Sequence, residues 1–163
     1  MEEHALRQRV LVIEDELILA QNLKCYLVQK DLAVRVATQG SSAIELAMSY
    51  RPTLIVLDYH LPDMNGFAVL QALGEQWSYR CLLITGHPTC AVCEMAAQHG
   101  VQYILFKPFP LRDLGEAVQI LLAGPQAPNV MHLYDGAWRT VEREHLADVF
   151  PLPTQSDGEI QQR

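Results

Sequence analysis

Apolar residues fall along this chain in short unbroken runs separated by amphipathic stretches. The runs are Val10-Leu11-Val12-Ile13, Ala33-Val34-Arg35-Val36-Ala37, Leu54-Ile55-Val56-Leu57, Cys81-Leu82-Leu83-Ile84 and the stretch from Val101 to Phe106. Such runs suit strands of a parallel sheet covered by helices on both faces. Between them the spacing changes. Leu19, Leu23, Tyr26 and Leu27 recur every three or four residues up to Lys30, which gives a helix with one apolar stripe. Ser42-Ala43-Ile44-Glu45 is a capping-box pattern that opens a second helix after Gly40, and Pro52 ends it. Phe67, Val69, Leu70 and Leu73 carry a third helix toward Gln76-Trp77, and a fourth follows Gly86-His87-Pro88 as far as His99-Gly100, where glycine suits a left-handed cap. A fifth runs from the Lys107-Pro108-Phe109-Pro110 turn through Leu122.

Five strands alternating with five helices predict an α/β fold over residues 1–123, a parallel sheet with right-handed crossovers. Gly124-Pro125-Gln126-Ala127-Pro128 reads as a linker, so residues 124–163 form an extension. A chain of 163 residues accommodates one domain and an appendage, not two ordinary domains. No internal repeat is visible.

The chemistry sits where the strands end. Glu14 and Asp15 follow the first strand, Asp58 the third, Thr85 the fourth and Lys107 the fifth. In open doubly wound sheets, ligands bind at the carboxyl edge where strand order reverses. Carboxylates gathered there repel one another unless a cation joins them, so a hard divalent ion with oxygen ligands is implied, and Mg²⁺ is the natural candidate. Asp58 is then a nucleophile able to form an acyl phosphate, while Lys107 and Thr85 contact phosphoryl oxygens and respond to their presence.

These residues resemble the receiver domain of bacterial two-component response regulators. The match rests on the acidic pair, on Asp58 within Leu57-Asp58-Tyr59-His60-Leu61-Pro62-Asp63-Met64-Asn65-Gly66, on Thr85-Gly86 and on Lys107-Pro108-Phe109, in the right order and spacing. The resemblance implies a flavodoxin-like sheet of order 2-1-3-4-5. It implies transfer of a phosphoryl group to Asp58 from a sensor histidine kinase or phosphotransfer protein, with Mg²⁺ required. Asp15, Asp58 and the main-chain carbonyl of His60 would ligate the metal, Glu14 would act through water, and the Tyr59 amide would assist Thr85 and Lys107 at the phosphate. One position departs from the pattern. The family's switch aromatic lies three residues before the lysine, where this chain has Ile104, with Tyr103 one residue earlier. A one-residue shift turns a strand side chain to the opposite face unless a bulge restores it. His60 and His87 occupy positions that modulate acyl-phosphate lifetime in the family; the plain alternative is two exposed loop histidines.

Composition narrows the partners. Half the residues are hydrophobic and 19% are charged, and no apolar run reaches membrane-spanning length. The acidic start, Met1-Glu2-Glu3-His4, is unlike a signal peptide, so a cytoplasmic protein is expected. The net charge of −7, with no visible Lys/Arg cluster, argues against a broad nucleic-acid surface. Four cysteines read as reduced thiols. His87, Cys90, Cys93 and His99 could form a zinc or redox group, against the plainer reading that the two cysteines pack on one helix face. In the extension, Asp135-Gly136 between apolar runs signals a hairpin, whereas Trp138, Val141, Leu146 and Val149 would fit a helix. The apolar residues there need cover, and a homodimer would supply it. The resulting expectation is a single-domain response regulator, not an enzyme, which signals by phosphorylation-dependent protein contact through its fourth helix, fifth strand and fifth helix. Its rivals are a phosphorylation-independent interaction module and a remodelled transcription regulator acting through another DNA-binding protein.

Overall fold

The computed structural model describes residues 6–87, 89–124, 130–134 and 137–141. Strands and helices alternate as the apolar runs require: β1 (Arg9–Ile13), α1 (Leu17–Gln29), β2 (Ala33–Ala37), α2 (Gly40–Tyr50), β3 (Leu54–Asp58), α3 (Gly66–Leu73), β4 (Arg80–Thr85), α4 (Cys90–Gln98), β5 (Tyr103–Phe106) and α5 (Leu111–Ala123). The first five strands are parallel in the order β2-β1-β3-β4-β5. Strand order reverses between β1 and β3, so the ends of those two strands flank the switch point of the sheet.

Alternation along each strand sends side chains into two apolar layers. Leu11, Ile13, Ile55, Leu57, Leu83 and Ile104 meet α2, α3 and α4 through residues such as Ala43, Phe67 and Cys93. Val10, Val12, Val56, Ile84, Tyr103 and Leu105 meet α1 and α5 through Leu23, Leu27, Leu114 and Val118. Complete burial of a Leu or Ile contributes roughly 1.5–3 kcal/mol, and both layers extend across the five parallel strands β1 to β5. The site residues therefore project from a rigid platform.

Two features differ from the sequence reading. The capping-box serine does not start α2. That helix begins at Gly40, and the Gly40 and Ser41 amides donate to the Asp63 carboxylate at 2.7 and 2.9 Å. These two bonds hold the Asp63 carboxyl below its usual range. Asp63, a turn residue in sequence, thus caps a helix more than twenty positions away and ties the loop after Asp58 to α2. The second difference is that the sheet continues beyond five strands. The hairpin reading of the extension holds, with β6 (Val130–Tyr134) parallel to β5 and β7 (Ala137–Val141) antiparallel to β6. Tyr134 pairs with Ala137, so Asp135-Gly136 is the connection; those two residues, like Leu146 and Val149, lie outside the described set.

Candidate functional site

β1 and β3 are neighbours in register, Ile13 opposite Leu57, so Glu14 and Asp58 emerge side by side. Glu14 is buried, Asp58 is 4% exposed and Asp15 faces solvent. One carboxylate oxygen from each of Glu14, Asp15 and Asp58 lies within 4.8 Å of the others, the one such cluster among the described residues. From the end of β5, Lys107 Nζ donates to Glu14 Oε2 at 2.7 Å and to Asp58 Oδ2 at 3.1 Å. Burial pushes the Glu14 carboxyl up to about 7, against the lowering influence of Lys107 and of the Glu16 amide. Burial alone would lower the Lys107 ammonium, but its bonds and proximity to the two carboxylates prevail and the net shift is upward.

This donor set fits a divalent cation. With all four groups ionised, three carboxylates and one ammonium leave a charge of −2 in a site where burial already disfavours the Glu14 anion, and an oxygen-bound cation relieves that cost.

Thr85 closes the group from β4. Its strand pairs Asp58 with Ile84, which places the threonine one position beyond the aspartate, fully buried. Its Oγ1 accepts the His87 amide at 3.0 Å, and its carbonyl accepts the Lys107 amide at 2.8 Å, so the hydroxyl and the lysine hang on adjoining main chain. The Tyr59 amide, expected at the phosphate, instead donates to the Ile84 carbonyl at 3.1 Å as an extra rung of the β3–β4 ladder. It is the His60 amide that reaches Asp58 Oδ1, at 3.2 Å. The His60 and His87 side chains are exposed at the mouth, their rings edge to face with centroids 4.6 Å apart.

Other expected groupings come apart. Phe67 stacks on His99 at 4.9 Å, Cys93 is buried in the core and His87 lies against His60, so these three do not converge; the Cys90 side chain lies outside the described residues. The β4–β5 register is unbroken from Leu82–Tyr103 to Thr85–Phe106, so no bulge restores Tyr103. Tyr103 points into the α1/α5 layer and Ile104 into the α2/α3/α4 layer.

The family model for the response regulator receiver domain matches residues 10–119. The chain belongs to that family. The receiver is 30% identical over 113 residues to the TorCAD operon transcriptional regulatory protein TorR of Escherichia coli K12, covering 69% of this chain and 49% of that protein. It is 29% identical over 143 residues to the transcriptional regulatory protein SrrA of Staphylococcus aureus NCTC 8325, covering 86% of this chain and 58% of that protein. It therefore spans about half the length of the curated relatives it matches. Among solved structures, the non-phosphorylated HemR receiver domain of Leptospira biflexa superposes with a TM-score of 0.69 at 25% identity, over 74% of this chain and 98% of that one. The chemotaxis response regulator CheY4 of Vibrio cholerae shares the fold, with a TM-score of 0.65 at 24% identity over 71% and 98% of the two chains.

Proposed function

We propose that this receiver accepts a phosphoryl group on Asp58 from a histidine kinase or phosphotransfer protein and signals through phosphorylation-dependent protein contact, as a cytoplasmic stoichiometric acceptor. Residues 1–123 are the receiver and 124–163 its extension. The observation that carries the reading is the convergence of Glu14, Asp15 and Asp58 with Lys107 at the switch point of the sheet.

In the transfer, an Asp58 carboxylate oxygen attacks phosphorus; the new P–O bond forms as the P–N bond to the donor imidazole breaks, and the imidazole leaves to recover a proton. Mg²⁺ held by Asp15, Asp58 and the His60 carbonyl, with Glu14 behind it, would neutralise charge on the transferring group. Lys107 is already within hydrogen-bond distance of Asp58 and needs only a small movement to meet a phosphoryl oxygen. Thr85 can donate its hydroxyl proton to a phosphoryl oxygen while its oxygen still accepts the His87 amide, so phosphate draws on the loop that carries His87. His60 and His87 modulate attack by water from the mouth. Since Tyr103 occupies the α1/α5 layer, the coupling from Thr85 runs through its own loop and the Ile104 face without an aromatic rotamer change.

The test is incubation with acetyl phosphate and Mg²⁺ followed by intact mass. Gain of one phosphoryl group, absent from Asp58→Asn and from a sample in EDTA, is the expected result. No gain, even with a competent kinase, would refute the proposal and leave a phosphorylation-independent module.

A further inference from the structure

No Lys/Arg cluster is visible in the sequence, yet the fold assembles one at the amino edge of the sheet, opposite the acidic site. Arg9 begins β1, Arg35 lies on β2 and Arg51 follows α2 in a left-handed conformation. Tyr50, the last residue of α2, donates its hydroxyl to the Ala33 carbonyl at 2.8 Å, which fixes its ring beside β2. The Arg35 and Arg9 guanidiniums lie over that one ring, 4.8 and 5.9 Å from its centroid. Arg9 Nε also donates to the Arg51 carbonyl at 3.2 Å, and the Arg51 guanidinium lies 5.6 Å from the centre of Trp77. Trp77 is held in turn by its bond to the Pro52 carbonyl and by the Tyr79 ring.

All three arginines are exposed, and among the described residues none pairs with a carboxylate. Neighbouring basic groups are already engaged, Arg7 with Asp31 and Arg80 with the Leu121 carbonyl. Aromatic faces thus hold like charges together with no carboxylate in ion-pair contact among the described residues, on a molecule that carries −7 overall. Preordered guanidinium forks of this kind suit paired oxygen anions.

We propose that this edge docks an acidic segment of a partner protein. A carboxylate peptide fits better than nucleic acid on two counts. Guanidiniums already lie against the Tyr50 and Trp77 rings and Tyr79 packs on Trp77, which leaves these rings less open to base stacking. A long polyanion would also meet the net negative charge of the whole chain, whereas a short segment meets only the patch. In an extended peptide, alternate side chains repeat at about 6.6 Å on one face, within the reach of two guanidiniums that share one ring. Along β1, Arg9 lies five residues from Glu14, about 16 Å, and Arg35 sits opposite Leu11, three residues from Glu14, so docking and phosphorylation use separate parts of the sheet.

Fluorescence anisotropy of a labelled peptide of alternating Glu and Ser tests this with the full chain. Binding should appear at low ionic strength and weaken with salt. Arg35→Gln and Arg51→Gln remove the charge and leave a polar side chain; each should weaken binding about threefold and together about tenfold, in the range of exposed charge pairs. Arg112→Ala, at a guanidinium that lies beside Asp113, should change nothing. Absence of binding at low salt, indifference to the double substitution despite unchanged melting, or tighter binding of an oligothymidylate through the same arginines would each overturn the proposal.

Discussion

The contact between the start of α3 and the end of β3 bears directly on the acceptor, and one methyl group probes it. Gly66 opens α3, and its amide donates to the Tyr59 carbonyl at 2.7 Å, which leaves the backbone little freedom. A Cβ at this position would stand 2.8 Å from the Asp58 carbonyl oxygen and 3.1 and 3.2 Å from atoms of the Leu57 side chain. The closest obstacle is backbone and Leu57 is fully buried, so neither yields by a simple rotation. Such overpacking costs about 1–3 kcal/mol. Alanine regains less than about 1 kcal/mol of helix propensity at a first-turn position. The net prediction for Gly66→Ala is a loss of about 1–2 kcal/mol. With an m-value near 2 kcal/mol/M, the urea midpoint should fall by about 0.5–1 M at unchanged m. Relief of the clash must also move the main chain of Asp58, so Mg²⁺ affinity should fall with stability. Gly100→Ala is the control: nothing lies within 4 Å of its added methyl, but its φ of +72° makes the substitution strained. It should destabilise without altering Mg²⁺ affinity. A Gly66→Ala protein with an undiminished urea midpoint would refute the packing argument.

Three further outcomes follow from other contacts. Mg²⁺ at ten times its Kd should stabilise the protein by about 1.4 kcal/mol, a rise of about 4 °C in Tm, and Asp15→Asn should abolish that rise in a melting series; a metal-independent Tm would remove the cation from the site. Gly115→Ala should destabilise because its methyl would stand 2.5 Å from the Tyr26 hydroxyl, and Tyr26→Phe should partly rescue it in a double-mutant cycle by chemical denaturation. Burial pushes the Cys81 thiol up to about 12, so at pH 8.5 iodoacetamide should label exposed Cys25 and spare Cys81 by mass mapping. Since the unfolded thiol ionises near 9, this group's contribution is intact below pH 9 and declines above it, by up to about 1.4 kcal/mol per pH unit until the folded thiol ionises.

The central fold was legible because its signals are local. Unbroken apolar runs marked the strands within a residue or two, and the acids and lysine at their ends could be assigned to one edge once the sheet was taken as parallel. What escaped depends on contacts distant in sequence. Asp63 caps α2 from a loop beyond β3, and a Ser-x-x-Glu pattern beside the true helix start gave a competing local signal. The arginine cluster draws on β1, β2 and the turn after α2, so it has no signature in any one window. The Tyr59 amide was assigned by analogy, and only the β3–β4 pairing reveals that Ile84 already accepts its proton. Parity served better, since the one-residue offset of Tyr103 correctly sent it to the opposite layer.

The hairpin changes what lies at the far side of the sheet. A parallel sheet ending at β5 would present a row of unpaired amides and carbonyls there, and exposed edges invite pairing with other chains. Here α5 serves as the crossover that returns the chain beside β5, and β6 pairs Met131 with Tyr103 and His132 with Ile104. Met131 is the hinge of this arrangement: its amide donates to the Gln102 carbonyl at 2.6 Å and its side chain packs against the α1/α5 layer. Met131→Pro removes that donor. The expected cost is about 1–3 kcal/mol, from a lost ladder bond and the group left without it, which is less than the stability of a typical domain. The receiver should therefore stay folded while the hairpin detaches. Hydrogen exchange should then show faster exchange at the Leu133 and Ile104 amides, which the parallel register turns toward the partner strand, with protection in β1 and β3 unchanged. Light scattering should show more self-association than in the parent as the β5 edge becomes available. Global loss of protection would make the hairpin part of the folding unit, and unchanged exchange at Ile104 would mean that β6 does not shield that edge.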